Sequence, residues 1–481
     1  RRYNMPQNIM NNLKPINSSQ EYFQRTPSLD GKNVETKREE IRTYFHASLD
    51  SYESLFETLR TDDAYYKKSI SLRHPLIFYF GHTATFFVNK LILAGLITER
   101  IDPKLESMFA VGVDEMSWDD LDTNHYDWPS VEAVRNYRKE VRNAIDKLIR
   151  ETPLTLPITW DSPWWTILMG IEHEHIHLET SSVLIRQHEL EYVQTHEEWE
   201  PCRKSGTAPE NELVDVSAEA IEIGESISGG TYYGWDNEYG RHTADVAAFQ
   251  ASKYLVSNQE FLSFVKEEGY QSEQYWSEEG LAWVKHTKAE YPTFWVKKSG
   301  DWHLRLMTEE VPMPWDWPVE VNYLEAKAFC NWKSETSGKP VRMPTEDEWY
   351  RLYDVSNLDE VPHDESAAGN LHLDYYASSC PVTEFPQGDF YDVVGNVWQW
   401  AETPTYPFEG FDVHPFYDDF TTPTFDTQHN LIKGGSWIAC GNETLKSARY
   451  AFRRHFFQHA GFRYIVSDTP ATLESSNPCP P

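Results

Sequence analysis

The texture of the chain changes near residue 200, and one packing scheme cannot serve both sides of the change. From about residue 36 to 195, apolar residues recur at i, i+3 and i+4 in four long segments. These are TKREEIRTYFHASLDSYESLFETL, HPLIFYFGHTATFFVNKLILAGL, SVEAVRNYRKEVRNAIDKLI and SPWWTILMGIEHEHIHLETSSVLIRQ. Such a period places the apolar side chains on one helix face, and four helices joined by loops bury those faces against one another as a bundle. Ser130 and Ser162 stand where N-caps belong, and Pro163 follows Ser162 at the first helical position. Beyond RKSGTAPENE the chain turns rich in Trp, Gly, Pro and short strand-like runs, with SNQEFLSFVKEEGY and NYLEAKAFCNWKSETSG as isolated helical patterns. That mixture predicts a turn-rich α+β domain. The expected fold class is α+β multidomain: an arm over residues 1–35, a four-helix bundle over 36–200, a linker over 201–215, an α+β domain over 216–470 and a tail over 471–481.

Charge narrows the partners. With 43 basic against 76 acidic residues the formal charge is -33, which repels phosphate backbones and anionic membrane surfaces, so neither nucleic acid nor membrane is expected as a partner. No window approaches ~18 uninterrupted apolar residues, and RRYNMPQNIMNNLKPINSS lacks the apolar run of a signal peptide. The cysteines, at 202, 330, 380, 440 and 479, include no C-x-x-C pair. A reducing, cytoplasmic setting is the expectation from that usage.

The fourth helical segment carries GIEHEHIHLET, Gly170 to Thr180, which fits two metal patterns at once. Read as H-E-x-x-H it has His173 and His177 as zinc ligands and Glu174 as a general base. The extended version of that pattern fails, because position 180 is Thr where Gly is needed and position 183 is Val where His is needed. A carboxylate third ligand stays open, since Glu197 and Glu198 follow about 20 residues on. Read as H-x-x-x-H-x-E, the same residues end on Glu179. Positions four apart share a helix face, so His173 and His177 can grip one ion, while His175, about 200° round, cannot join them. Glu179 falls close to the His175 face and reads as a supporting or inter-helix group. His82, midway along the second segment, competes for the third place, because facing helices of a bundle build metal sites from inward side chains. A lone buried histidine is otherwise a hydrogen-bonded core residue.

FGHTATFF and HEHIHLE, followed in order by SEEGLAWV, PVEVNYLEAKAFCNW, VRMPTEDEW, VVGNVWQW, IKGGSW and HAGFRY, resemble the non-heme iron sulfoxide synthases of thiohistidine biosynthesis. The resemblance runs from about residue 36 to 470 and lies nearest the branch that forms 5-histidylcysteine sulfoxide for ovothiol; the ergothioneine enzymes are the sister branch. It implies a DinB-like four-helix bundle followed by a formylglycine-generating-enzyme-like domain, itself related to C-type lectins. It implies one Fe(II) held by His82, His173 and His177, with Glu179 in support, and Tyr406 as the active-site phenol. It further implies that Arg135 and Arg138, three apart on the third helix, clamp a substrate carboxylate, unless they form a solvated basic face with Lys139 and Arg142.

The activity implied is an O2-dependent joining of L-cysteine to L-histidine. Three neutral imidazoles leave open positions on iron for a thiolate, an imidazole and O2, and holding the reactants together makes their encounter intramolecular. AFRRHFFQHAGFRY lacks the Trp-Asp pair of the ergothioneine-type stretch, which favours plain histidine over its trimethylated form. An ergothioneine-type or selenium-using relative is the alternative within the class. A metal-binding bundle joined to a lectin-like domain that only binds a ligand is the alternative outside it. Ovothiol synthases of this kind carry a methyltransferase domain after the lectin-like one; these residues end on SDTPATLESSNPCPP, so the methylating step is not expected within them.

Overall fold

Residues 25–110, 126–358 and 369–471 are described by the computed structural model of the chain. Residues 1–24 of the expected arm and 472–481 of the expected tail lie outside them. Within residues 25–33, Asp30 to Asn33 are exposed while Leu29 is buried: its N–H donates to Thr231 O at 2.8 Å, and its carbonyl accepts from Ile158 N at 2.7 Å. An apolar side chain and paired backbone groups seat the segment against both parts of the molecule.

Four long helices follow: α1 (Val34–Phe56), α2 (Leu76–Leu93), α3 (Val131–Glu151) and α4 (Pro163–Arg186). Ser130 Oγ accepts from Ala133 N and Ser162 Oγ from Trp164 N, satisfying donors that a helix start leaves open. Helix α3 is strongly amphipathic and buries only the stripe from Val131 through Ile149. Helix α2 is apolar nearly all round; by length and composition it passes for a membrane span, yet 78% of it is buried inside the protein, where it serves as a core helix. Helix α4 buries every residue except Pro163 and Ile176. A helix without a polar face needs partners on all sides, and α4 finds them by packing on α1 and α2 with one face and on the second domain with the other.

The second domain is built on two four-stranded sheets. The first uses β1 (Leu213–Val216), β2 (Phe249–Ser252), β3 (Val341–Arg342) and β8 (Ile465–Val466) in the order β1-β2-β8-β3, all antiparallel. The second uses β4 (Trp398–Pro404), β5 (His429–Lys433), β6 (Tyr450–Arg453) and β7 (Ala460–Gly461) in the order β6-β5-β4-β7, with the short β4–β7 pair parallel. The domain also carries smaller sheets and the helices Asn258–Lys266 and Glu278–Thr287, together with α5 (Tyr323–Ser337) and α6 (Glu346–Val355), the last two each opened by a capping box, Asn322 with Glu325 and Thr345 with Glu348. One apolar cluster runs continuously from the bundle into this domain, so the boundary between them is itself core. Cys202, Cys330, Cys380 and Cys440 are buried and unpaired.

Candidate metal centre

His82 on α2 and His173 and His177 on α4 converge in the bundle. Their ligand atoms all lie within 4.8 Å of one another, and the ring centroids are 5.0 Å (His82–His173), 4.9 Å (His82–His177) and 4.5 Å (His173–His177) apart. The helical repeat supplies the His173–His177 pair, and the packing of α2 on α4 supplies His82. Gly81 has a local part in this: a Cβ there would strike the Phe109 ring at 2.4 Å, and the close approach that glycine permits lets Phe109 O accept from His82 Nδ1 at 2.7 Å. That bond places the proton on Nδ1 and leaves the unprotonated Nε2 with its lone pair available as a metal ligand. Phe86 stacks on His173 with ring planes 5° apart.

Electrostatics keep all three rings neutral at pH 7. Burial lowers His82 to about 4, opposed by the Phe109 carbonyl. Burial, followed by the neighbouring imidazoles, holds His173 and His177 well below the usual value. The Nδ1 of His173 is buried with no hydrogen-bond partner. Three neutral imidazoles whose ligand atoms gather within 4.8 Å of one another form a donor set suited to a divalent first-row metal.

His175 and Glu174 face elsewhere. His175 Nδ1 lies 3.1 Å from Glu172 Oε2, and Tyr44 donates to the other oxygen of Glu172. Glu174 lies 3.6 Å from Arg138 inside the bundle and does not line the histidine cavity, so the peptidase base has no post here. Glu179 contacts none of the three clustered histidines; its carboxylate accepts from Trp398 Nε1 at 2.7 and 2.9 Å and from Ser436 Oγ, joining α4 to the second domain. Burial raises its carboxyl to about 7, against the hydrogen bonds from Ser436 and Trp398.

The arginine clamp is not assembled. Arg138 is buried, with its guanidinium spent on Phe80 O (3.0 Å), Thr83 Oγ1 (2.8 Å) and Glu53 (3.1 Å), while Arg135 points out to solvent. Arg138 falls within the buried stripe of α3, whereas Arg135, one turn earlier, falls just outside it at the exposed edge. Tyr406 is also displaced from its expected place: it packs against Arg449 (4.9 Å to the ring centre) and His242 and is not among the cavity residues. Burial first, then the Glu346 charge, push its phenol far up.

The cavity beside the histidines measures ≈ 850 Å³ and draws its walls from both domains. Tyr417 and Tyr450 both line it; the Tyr450 hydroxyl donates to Asn442 Oδ1 at 2.7 Å and accepts from Trp235 Nε1 at 2.9 Å, whereas Tyr417 lies 6.4 Å from His173 and 5.1 Å from Phe86 between ring centroids, with Lys90 Nζ 4.3 Å from its ring centre. Asp419, Asn237 and Arg73 also line the space. Sequence reading missed Tyr417 and these three, because they arrive on loops, where no periodicity marks which side chain turns inward.

A family model described as the DinB superfamily matches residues 44–181, and one described as the sulfatase-modifying factor enzyme 1-like domain matches residues 204–468. Among curated proteins, ergothioneine biosynthesis protein 1 of Schizosaccharomyces pombe is 25% identical over 453 residues, 84% of this chain and 52% of that protein. Hercynine oxygenase of Mycobacterium tuberculosis is 29% identical over 244 residues, 47% of this chain and 55% of that one. The hercynine oxygenase of Mycolicibacterium thermoresistibile is 27% identical over 359 residues, covering 69% and 74%. The chain thus spans about half the length of the first two relatives. With more than half of its residues under one model and a helical domain ahead of it, the chain belongs to the sulfatase-modifying factor enzyme 1-like family, in a form that carries an N-terminal DinB-superfamily bundle.

Proposed function

We propose that the protein is a non-heme iron sulfoxide synthase that uses O2 to join L-cysteine to L-histidine as 5-histidylcysteine sulfoxide. The observation that carries this reading is the grouping of His82, His173 and His177, neutral and buried, at the wall of a cavity shared by both domains. Those residues would hold Fe(II), which supplies open coordination positions and redox chemistry when bound. The overall change balances: one C–H and one S–H bond are lost, a C–S and an S–O bond are made, and O2 takes four electrons, one oxygen ending in the sulfoxide and the other in water.

The chain's own residues would do the rest. Phe109 O fixes the His82 tautomer. Phe86 and Phe109 exclude water from the rings. Tyr417, in the cavity wall near His173, would deliver a proton from its hydroxyl. Asp419 and Asp426 offer acceptors to a primary ammonium, which a trimethylated amine could not use.

The names of the relatives support a second reading, an ergothioneine-type synthase acting on a trimethylated histidine. Incubation with Fe(II), cysteine, O2 and either histidine or its trimethyl derivative, followed by NMR of the product, separates the two. Sulfur on imidazole C5 of plain histidine is the expected result. No O2 uptake with any thiol and imidazole pair would remove the enzymatic reading altogether.

A further inference from the structure

A second cavity, ≈ 580 Å³, lies against the first, and Arg73 and Thr180 line both. Thr180 is on α4 one turn beyond His177, so the two spaces meet close to the histidine cluster. Arg73 is only 7% exposed and forms part of the wall of each cavity. Its guanidinium lies over the Phe456 ring at 5.0 Å and is hydrogen-bonded to the Tyr79 hydroxyl, a neutral partner, and its charge is felt at His177. Among the described residues no carboxylate comes within ion-pair distance of it. Two other cations of the first cavity are differently placed. Arg449 is held by Glu346 at 2.9 and 3.2 Å, and Lys90 is within reach of the charges of Asp418 and Asp419.

Burying a guanidinium without a counter-charge is costly. A cavity that presents one, with a planar fork of donors, is built to receive a planar anion. We propose that Arg73 binds the α-carboxylate of the amino-acid substrate and so sets which part of it reaches the histidine cluster. This rests on the reading that the site takes amino acids. A β-thiol or a side-chain imidazole on a short α-amino acid held at Arg73 would project toward His177. Phe456, which lines the second cavity, packs against the guanidinium.

Calorimetry on the Co(II)-loaded protein, without turnover, tests it. The probes are L-cysteine against cysteamine and L-histidine against histamine. The wild type should bind at least one amino acid about 30-fold more tightly than its decarboxylated partner, the ratio expected of one charge-assisted hydrogen-bonded pair. Arg73→Met should collapse that ratio to near one while leaving cobalt content unchanged, and Arg73→Lys should restore part of it. Whichever ratio collapses names the substrate whose carboxylate is read. Equal binding of amino acid and amine by the wild type would overturn the proposal, and this outcome needs no variant to fold. So would ratios that survive Arg73→Met. Retained carboxylate discrimination in a protein that consumes no O2 would uphold the Arg73 assignment while removing the catalytic one.

Discussion

The carboxylate of Glu179 accepts the indole N–H of Trp398 with both oxygens, at 2.7 and 2.9 Å, across the boundary between the helical bundle and the α+β domain. The two residues are fully sheltered, and Ser436 donates to the same carboxylate. Two residues along the chain, His177 looks into the metal cavity. One helix therefore carries the candidate ligands on one side and the anchor to the second domain on another. The second domain supplies Tyr417 and Asp419 to the cavity, so the seating of α4 decides how the two walls face one another.

Glu179→Ala should destabilise the protein by about 2–4 kcal/mol, because it leaves the Trp398 N–H and the Ser436 hydroxyl buried without an acceptor. Metal content should survive, since Glu179 touches none of the three clustered histidines. Chemical denaturation alongside metal analysis of the purified variant measures both. Loss of metal with unchanged stability would place Glu179 in the metal site.

His82→Ala and His173→Ala should each weaken iron affinity more than about 100-fold, exceeding the loss seen when only a supporting group is removed. His175→Ala should keep most of the iron, as His175 is engaged by Glu172 and Tyr44 away from the cluster. Elemental analysis after anaerobic reconstitution decides it. Iron kept by His173→Ala and lost by His175→Ala would mean that the other face of α4 carries the ligands.

Tyr417→Phe should retain iron yet slow sulfoxide formation by about 10²-fold or more, the scale of one positioned proton donor, with O2 consumption passing to simple thiol oxidation. Tyr406→Phe should leave the product ratio where it was, since Tyr406 packs on Arg449 and His242 outside the cavity. Product analysis by NMR beside O2 uptake distinguishes the two tyrosines. A shifted ratio in Tyr406→Phe alone would reverse the assignment.

Glu346, buried between Arg449 and Lys433, sets an acid limit on stability. Burial favours its protonated form, but the charges of Arg449 and then Lys433 overcome this and hold its carboxyl at about 2, against the ordinary 4.5. A depressed folded-state value means the stabilisation is whole above pH 4.5 and is lost as pH falls toward 2. Glu346→Gln should cost about 3–5 kcal/mol at neutral pH by stranding two cations, and it should flatten the stability curve between pH 4.5 and 2. Denaturant midpoints across that interval report the difference; parallel curves for both proteins would contradict the ion-pair account.

What the sequence by itself determined are the features written in local repeats. The helical period marked the four bundle segments, Ser130 and Ser162 marked two helix starts, and the i, i+4 spacing bound His173 to His177 because 3.6 residues make a turn. The ordered motifs carried the likeness that set His82 beside them. Tertiary structure alone decided which side chains meet across long separations. The places of Tyr417 and Arg73 in the cavity wall, the packing of Tyr406 on Arg449 and His242, and Glu179 on Trp398 and Ser436 all depend on how loops close against packed helices. A loop has no period to betray which way its side chains face, and the third helix could not reveal from its own pattern that Arg138 would turn into the bundle core. Only the burial of α4 between two domains, each covering one of its faces, fixes those meetings.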